Sequence, residues 1–296
     1  MKILVTGGYG FVGPKVVHAL RARDHDVRAL VRDRTRAKTL ESWGCELVAG
    51  DATDPQSLRA AADGVECVVH LVAIIKGTPE QFERVMAQGT RDLVAAAEAG
   101  GARRFVLMSA LGTSERNRDL VPYYRAKWDM EQAVLASPLE HVIFRPSFVF
   151  GSDGGILPMF IRQVRWSPAT PIVGDGTPRL QPIWVDDVAA FYAESVSSPT
   201  AAGQTFELGG PDAVTWNGLF ERIKKVLGKR RPTVHLPVGL MRAGATLTDW
   251  LPFAPITRDQ LKMLVEGGDQ VCDPAPAIEA LGVTPIGLDE QLRRAA

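Results

Sequence analysis

The sequence predicts an α/β protein built on a doubly wound parallel sheet, with helices on both faces and a smaller C-terminal lobe. Two observations lead to this fold class. The first 33 residues read as a strand, a glycine turn, a helix and a second strand. Short apolar runs of strand length then alternate with helical segments through the first half of the chain, which is typical of parallel sheets.

The chain opens with an apolar, β-branched run over Lys2–Thr6, which predicts the first strand. Helical spacing of apolar residues over Lys15–Arg23 predicts the first helix, and Val27–Val31 predicts the second strand. Pro14 suits the first turn of that helix, where a missing N–H group loses no partner. In this order, the elements form the dinucleotide-binding unit of a Rossmann fold.

The glycines after the first strand have separate physical roles. Gly7 lets the chain leave the strand sharply, Gly10 lets the backbone approach a pyrophosphate, and Gly13 lets the helix pack close to the strand. The helix N-terminus presents free N–H groups and a partial positive charge to the phosphates. We therefore predict nucleotide contacts along this turn, at Gly7, Tyr9, Gly10, Phe11 and Val12.

The end of the second strand bears on which nicotinamide dinucleotide binds. Arg32 stands there, Arg34 follows, and Arg36 and Lys38 come next. A guanidinium group suits bidentate phosphate binding, so Arg32 and Arg34 favour NADP, which carries a phosphate on its ribose 2′-oxygen. NAD stays open as an alternative, because Asp33 can accept hydrogen bonds from a free ribose and the basic residues can be solvated surface charges.

The composition bounds the function. The 296 residues, 46% of them hydrophobic, predict one large globular domain or a domain with a smaller lobe. Lysine plus arginine and aspartate plus glutamate number 34 each, which predicts neither nucleic acid nor an anionic membrane surface as a partner. We expect no signal peptide and no membrane span. Cys45, Cys67 and Cys272 lie far apart, which predicts reduced thiols in a cytoplasmic protein and no metal site.

Four further apolar runs predict strands at Glu46–Ala49, Glu66–Val72, Arg104–Met108 and His141–Arg145. Helices are predicted between them, at Asp54–Ala62, Pro79–Ala99 and Val121–Ala136. Ligands of such sheets lie beyond the carboxyl ends of the strands. That rule selects the turn with Asp51 and Ala52, the stretch Leu71, Val72 and Ala73, and the strand end at Ser109.

Tyr123 and Lys127 form a second candidate constellation. They are four positions apart, so they share one face of the predicted helix. A phenol is a weak acid, with a pKa of about 10 in water, and a nearby ammonium group stabilises its phenolate form. We therefore expect Lys127 to lower the pKa of Tyr123, so that the tyrosine exchanges a proton while hydride moves at the nicotinamide.

These features resemble the short-chain dehydrogenase/reductase superfamily, in its extended and atypical branches. The resemblance rests on the glycine spacing after Thr6, on Tyr123-x-x-x-Lys127, and on the segments Phe144–Gly151 and Gln181–Ala189. Three shorter patterns, at Pro255–Leu264, Gly209–Pro211 and Ser109–Gly112, are similar to a narrower group related to the nucleotide-binding accessory subunit of respiratory complex I. Together they cover nearly the whole chain, and the narrower group implies tight NADP(H) binding.

The resemblance also implies roles for single residues. Asp51 would bond the adenine amino group with Ala52 beside it, and the stretch from Leu71 to Ala73 would line the cofactor. Lys127 would bond the nicotinamide ribose, Tyr123 would contact the cofactor as the acid-base group, and Ser109 would be a third catalytic group. Pro146 and Phe148 would pack on the nicotinamide side, and Asp186 or Asp187 would cap a helix.

Two positions depart from the superfamily pattern. Leu111 stands where relatives usually carry a hydroxyl that orients a substrate oxygen, and Ser109 or Thr113 would have to replace it. Met86 stands on the long helix where relatives often carry Asn. Both departures affect turnover more than cofactor binding.

Three functions follow as hypotheses. The first is an NADP-dependent oxidoreductase or epimerase-type enzyme, acting on a small apolar molecule or a sugar nucleotide. The second is a nucleotide-binding accessory or assembly protein, and the third is a redox-sensing regulator of the NmrA type. A homodimer or a protein partner is compatible with each.

The domain organisation follows the same pattern. Residues 1–150 are expected to form the Rossmann domain, with 181–204 returning to it, and residues 151–180 and 205–296 a smaller lobe for substrate or partner. Within that lobe, the apolar stretch 240–253 is either the core of the lobe or the mouth of an apolar binding site.

Overall fold

A computed structural model describes residues 1–242 and 257–296 of the chain. Its centre is a seven-stranded sheet in which all neighbouring strands are parallel. In spatial order, the strands are β11 (Gln204–Leu208), β6 (Glu140–Pro146), β5 (Arg104–Met108), β4 (Cys67–His70), β1 (Lys2–Thr6), β2 (Asp26–Val31) and β3 (Glu46–Ala49). This order confirms the predicted doubly wound Rossmann fold.

Short strands pair outside the main sheet. They are β7 (Val149–Phe150) with β10 (Ile183–Trp184), β9 (Arg179–Leu180) with β12 (Val214–Thr215), and β8 (Thr170–Val173) with β13 (Thr233–Leu236). Residues 205–208, which were expected in the smaller lobe, instead belong to β11, and β11 pairs with β6 in the main sheet. Residues 243–256, which include most of the apolar stretch 240–253, lie outside the described residues.

Helices connect the strands. In chain order they are α1 (Gly13–Arg21), α2 (Lys38–Ser42), α3 (Pro55–Ala62), α4 (Pro79–Phe82), α5 (Gly89–Ala99), α6 (Pro122–Leu135), α7 (Leu157–Trp166), α8 (Val185–Ser195), α9 (Trp216–Val226), α10 (Arg258–Glu266), α11 (Ala275–Leu281) and α12 (Leu288–Ala295). A short 3₁₀ turn at Arg34–Ala37 precedes α2. Among residues 1–242 and 257–296, no helix has the length and apolar character needed to cross a bilayer.

The core lies on both faces of the sheet, as expected for parallel strands covered by helices. Ile3 and Val5 face one apolar layer with residues of α1 and α8, whereas Leu4 faces the other with residues of α3, α5 and α6. Alternate residues of one strand therefore enter different layers. Because the strands are parallel, their carboxyl ends all lie at one edge of the sheet.

Some boundaries differ from the predicted ones. The first helix begins at Gly13, two residues early, because Pro14 lies in its first turn. The strand predicted over Glu66–Val72 is shorter and ends at His70. The predicted helix over Pro79–Ala99 contains a π-helical turn at Glu83–Gln88, where the backbone bonds span five residues.

The expectation that Asp186 or Asp187 caps α8 is wrong. Trp184 is the N-cap residue, and both aspartates lie within the first turn of the helix. Asp186 instead accepts a hydrogen bond from the Trp184 indole N–H, and Asp187 accepts one from the backbone N–H of Ile286. The two carboxylates therefore stabilise neighbouring segments as well as the positive end of the helix.

Candidate nucleotide site

The glycine turn has the tight geometry that its sequence predicts. Gly7 has a φ of +78°, and its carbonyl oxygen accepts a hydrogen bond from Gly10 N at 3.2 Å. A Cβ on Gly13 would lie 2.2 Å from that same oxygen, so only glycine fits there. A Cβ on Gly10 would meet only the Gly7 oxygen, at 3.4 Å. Gly10 is exposed, which leaves the backbone open to an approaching phosphate.

The N-terminus of α1 lies directly after this turn. No side chain caps it, and no acidic residue occupies its first turn. Backbone N–H groups at such an end carry a partial positive charge and have no partner within the helix. The end of α1 therefore offers hydrogen-bond donors to an anion beside the glycine turn.

Phe11 lies against a different surface. Its ring fills the space over Gly151, Gly154 and Gly155, since a Cβ on Gly154 would lie 2.2 Å from the Phe11 Cδ2 atom. Val12, the N-cap residue of α1, is buried. Both side chains thus anchor the turn to the protein. The region beside the glycine turn, beyond the carboxyl ends of β1, β2 and β4, is called the crevice below.

A cluster of Tyr9, Arg32 and Arg36 lies between the glycine turn and the end of β2. Arg32 Nε donates to the Tyr9 hydroxyl oxygen at 3.2 Å, and this bond raises the pKa of the Arg32 guanidinium. The Arg36 guanidinium carbon lies 5.6 Å from the centroid of the Tyr9 ring. Tyr9 therefore contacts both guanidinium groups, Arg32 through its hydroxyl and Arg36 through its ring. Two positive charges this close together are suited to binding an anion.

Two residues next to this cluster in the sequence, Asp33 and Arg34, make their hydrogen bonds away from Tyr9. Arg34 donates to the carbonyl oxygen of Leu47, toward β3. Asp33 Oδ1 accepts hydrogen bonds from the backbone N–H and the hydroxyl of Thr35, and these bonds lower the pKa of Asp33. The sequence prediction named Arg34 and not Arg36 as a phosphate ligand. The 3₁₀ turn that Asp33 caps places Arg36, not Arg34, over Tyr9.

The turn after β3 carries Asp51 and Ala52. Asp51 Oδ1 accepts two hydrogen bonds from Thr53, both at 2.8 Å, so this oxygen stabilises the turn. The other oxygen, Oδ2, lies 4.0 Å from Arg32 Nε. Gly89 at the start of α5 packs on Ala52, since a Cβ there would lie 2.7 Å from the Ala52 carbonyl oxygen.

The stretch after β4 borders the glycine turn. Leu71 N donates to the Thr6 carbonyl oxygen at 3.0 Å, and a Cβ on Gly7 would lie 2.9 Å from the Leu71 carbonyl carbon. Leu71 is buried, Val72 is half-buried and Ala73 is exposed. The structure thus brings this predicted stretch and the glycine turn into contact.

Tyr123 and Lys127 lie on one face of α6, as predicted. Lys127 is 1% exposed, and its Nζ donates to the Met108 carbonyl oxygen at 2.6 Å. That Nζ lies 5.8 Å from the centroid of the half-buried Tyr123 ring. Burial lowers the pKa of Lys127 to about 7, although Glu131 opposes the shift.

The expected pKa shift of Tyr123 is in the wrong direction. Burial raises the pKa of this phenol above its usual range. The ring packs edge-on against Phe82 and beside Tyr124, and the ammonium group that was expected to stabilise the phenolate is directed at Met108. Desolvation therefore dominates over the lysine in this arrangement.

Ser109 and Thr113 are both 2% exposed. The Ser109 hydroxyl donates a hydrogen bond to the Thr113 hydroxyl oxygen at 3.4 Å. The two hydroxyls thus face each other inside the loop. Leu111 between them is buried, and its carbonyl oxygen accepts a hydrogen bond from the Tyr124 hydroxyl at 3.3 Å. The predicted third catalytic group, Ser109, is therefore enclosed by the protein.

The predicted nicotinamide-side residues, Pro146 and Phe148, lie at the end of β6 and just after it. The Pro146 carbonyl oxygen accepts a hydrogen bond from Leu111 N at 2.9 Å, which joins β6 to the loop after β5. Phe148 packs edge-on against Trp216, with ring centroids 5.5 Å apart. Sequence reasoning did not select Trp216, because nothing in its local pattern places the start of α9 near residue 148.

Sequence reasoning also missed the ion pair between Glu131 and Arg145. Arg145 donates to both carboxylate oxygens of Glu131, at 2.9 and 2.6 Å, and Glu131 is 1% exposed. Glu131 lies one helical turn beyond Lys127, so the same buried face of α6 carries both groups. The spacing Lys-x-x-x-Glu was visible, but the partner on β6 was not.

Comparison with known proteins identifies the family of this chain. Residues 7–199 match the model of a family described as NAD(P)H-binding. The chain belongs to this NAD(P)H-binding family. Over the residues that the structure describes, no group of three or more His, Cys, Asp or Glu is placed to hold a metal ion.

Two curated relatives and one solved structure illustrate the family. A ceramide reductase of Caulobacter vibrioides is 32% identical over 251 residues, covering 84% of this chain and 78% of that protein. The mitochondrial NADH dehydrogenase (ubiquinone) 1 alpha subcomplex subunit 9 of Arabidopsis thaliana is 30% identical over 204 residues, covering 68% of this chain and 50% of that protein. The crystal structure of gox2253 superimposes with a TM-score of 0.81 at 26% identity, covering 99% of this chain and 96% of that one.

These findings confirm the resemblance inferred from the sequence. The chain is an NAD(P)H-binding member of the short-chain dehydrogenase/reductase group and is related to a complex I subunit. The glycine turn, the end of α1 and the strand ends around them are the part of the structure that suits such a nucleotide.

Proposed function

We propose that this protein binds NADP(H) in the crevice beside the glycine turn and reduces a carbonyl group of an apolar small molecule. The observation that carries the proposal is the placement of Tyr123 and Lys127 on one face of α6, where the strands end. A bound NADPH would supply the hydride that this reduction needs.

The diphosphate is assigned to the glycine turn and the N-terminus of α1. The backbone at Gly10 is exposed beside Tyr9 and the tightly packed Gly7, and no side chain caps the end of the helix. The adenine end is assigned to the turn with Asp51 and Ala52. The stretch from Leu71 to Ala73 is assigned to the middle of the cofactor, because it touches Gly7.

The choice of NADP over NAD rests on Tyr9, Arg32 and Arg36. Two guanidinium groups on one phenol provide charge and hydrogen-bond donors for a 2′-phosphate. The carboxylate of Asp33, which could have accepted a free ribose hydroxyl, is engaged by Thr35. Both observations favour the phosphorylated cofactor.

Tyr123 is assigned as the proton donor. Because burial raises its pKa, the phenol is protonated at neutral pH, and a protonated phenol can give its proton to the oxygen of a carbonyl that accepts hydride. Lys127, with a pKa of about 7, is partly neutral before the nucleotide binds. Hydrogen bonds to a ribose would favour its charged form, which in turn would stabilise the phenolate product.

The surroundings favour an apolar substrate over a sugar nucleotide. Leu111, Phe148 and Trp216 contribute apolar side chains near the strand ends, and the Ser109 and Thr113 hydroxyls are enclosed. A sugar would need several exposed polar partners to replace its water. The relative named a ceramide reductase supports a reductase function for this chain.

A second function has a specific observation in its favour. The enclosed Ser109 hydroxyl and the Lys127 bond to Met108 fit a protein that holds the nucleotide without turnover. The related complex I subunit supports an accessory role of this kind, in which the nucleotide stabilises the fold or reports redox state to a protein partner.

One experiment separates these functions. NADPH oxidation is followed with a panel of apolar ketones and quinones, for the wild type and for Tyr123→Phe, while calorimetry measures NADPH binding to both. A reductase shows turnover that Tyr123→Phe abolishes with binding retained. Nucleotide binding without turnover on any member of the panel supports the accessory function and contradicts the reductase.

A further inference from the structure

His70 is a fully buried histidine between the two segments that border the nucleotide crevice. It is 0% exposed, as are its hydrogen-bonding partners Thr6 and Thr90. Its Nδ1 lies 2.6 Å from the Thr6 hydroxyl oxygen, and its Nε2 lies 3.1 Å from the Thr90 hydroxyl oxygen. Both ring nitrogens are therefore engaged inside the protein.

The direction of these bonds follows from the number of available protons. The Thr90 hydroxyl donates its proton to the Met86 carbonyl oxygen at 2.6 Å, so it can only accept from His70 Nε2–H. Nδ1 then carries no proton and accepts from the Thr6 hydroxyl. Burial, and next the charge of Lys127, lower the pKa of His70 to about 3, which keeps the imidazole neutral near pH 7.

The positions of Thr6, His70 and Thr90 show which segments these hydrogen bonds connect. Thr6 is the last residue of β1 and Gly7 follows it, while His70 is the last residue of β4 and Leu71 follows it. Thr6 and His70 are paired neighbours in the sheet. The imidazole thus links the ends of β1 and β4, where the glycine turn and the stretch after β4 begin. The backbones of these two segments are in contact beside the crevice.

Thr90 extends the connection to a third wall. It follows Gly89, whose backbone packs on the Ala52 carbonyl, and its acceptor Met86 lies in the π-helical turn. The glycine turn, the stretch after β4 and the turn with Ala52 are therefore linked through one side chain. All three are segments assigned above to the nucleotide.

We propose that His70 is a positioning residue of the nucleotide crevice, which holds the glycine turn, the stretch after Leu71 and the start of α5 in the register that the cofactor requires. The proposal rests on the proposed nucleotide site. Losing the imidazole leaves the Thr6 hydroxyl without its acceptor and removes the bond that Thr90 accepts, so the three segments can shift separately. Nucleotide binding should then fall more than stability alone accounts for.

The test measures NADPH affinity by calorimetry and the free energy of unfolding in urea for His70→Leu and a matched control. Phe206→Leu is the control, because Phe206 is buried in β11, three strands from β4. We expect His70→Leu to raise the NADPH Kd about tenfold and Phe206→Leu to raise it less than about twofold, at similar losses of stability.

Conservative variants separate positioning from packing. His70→Asn can keep the bond to Thr6, and His70→Gln can reach toward Thr90, so each should recover part of the lost affinity while His70→Leu recovers none. In the wild type, the ¹⁵N spectrum of labelled histidine should show one ring as the Nε2–H form, unchanged between about pH 5 and pH 8.

Any of the following outcomes overturns the proposal. If His70→Leu and Phe206→Leu weaken NADPH binding equally at equal stability, or if Asn and Gln do no better than Leu, His70 is only a packing residue. If the wild type itself binds no nicotinamide nucleotide, the proposed function fails first and the role of His70 fails with it. Wild-type binding with unaffected His70 variants leaves the proposed function standing.

Discussion

Arg32 Nε lies 3.2 Å from the hydroxyl oxygen of Tyr9, so the end of β2 and the glycine turn are joined by a hydrogen bond at the surface of the crevice. The exposed guanidinium of Arg32 keeps further donors free, since its side chain is 67% exposed. A 2′-phosphate bound here would lie near the positive charges of both Arg32 and Arg36, because the Arg36 guanidinium packs over the Tyr9 ring.

Arg32→Asp should therefore change the cofactor preference. Replacing the cation with a carboxylate repels a 2′-phosphate, so we expect the NADPH Kd to rise at least about tenfold while NADH binding is retained. Calorimetric titration of both nucleotides measures this. Arg34→Asp is the matched control, because Arg34 faces the Leu47 carbonyl, and its NADPH Kd should rise by less. An equal effect of both variants would show that only net charge matters.

Gly10→Ala and Gly13→Ala should separate binding from folding. A Cβ on Gly13 would lie 2.2 Å from the Gly7 oxygen, and we expect Gly13→Ala to cost on the order of 2 kcal/mol of unfolding free energy. The same atom on Gly10 has room in the free protein but faces the approaching phosphates. Gly10→Ala should thus keep stability within about 0.5 kcal/mol and weaken nucleotide binding. Urea denaturation and calorimetry provide the two readouts.

Stability should rise with pH through the titration of Lys127. Its pKa is lowered to about 7 in the fold, so above pH 7 the unfolded chain binds more protons than the folded one. The free energy of unfolding should increase by about 2 kcal/mol from pH 6.5 to pH 8.5, and this increase should be absent in Lys127→Met. A wild type whose stability is flat across that range would contradict the burial of a partly neutral lysine.

The buried pair of Glu131 and Arg145 should matter far more than an exposed one. Glu131→Ala leaves the Arg145 guanidinium without its bidentate partner and should cost on the order of 3 kcal/mol. Glu83→Ala breaks the exposed pair with Arg91 and should cost less than about 1 kcal/mol. Equal losses of unfolding free energy in urea would show that the buried pair contributes no more than a surface contact.

Local sequence signals predicted the fold well. The strands Lys2–Thr6, Glu46–Ala49 and Arg104–Met108 were predicted with the bounds that the structure shows, because each is a short apolar run with clear turn residues around it. The glycine turn was equally predictable, since the positive φ of Gly7 and the close contact of Gly13 with the Gly7 oxygen arise within a few residues.

The features that the sequence did not show depend on contacts between distant segments. The raised pKa of Tyr123 follows from packing against Phe82 and from the direction of the Lys127 ammonium, neither of which the spacing encodes. Arg36, rather than Arg34, stands over Tyr9 because of a 3₁₀ turn whose geometry was not visible. The contact between Phe148 and Trp216 was not predicted either, because it joins two segments that are far apart in the sequence.

The central claim is that the crevice at the glycine turn holds a nicotinamide nucleotide with a 2′-phosphate. Calorimetric titration of the wild-type protein with NADPH and NADH, in the same buffer, tests it most directly. The account predicts binding of both, with NADPH tighter by at least about tenfold. Tighter binding of NADH, or no heat with either nucleotide, would contradict it.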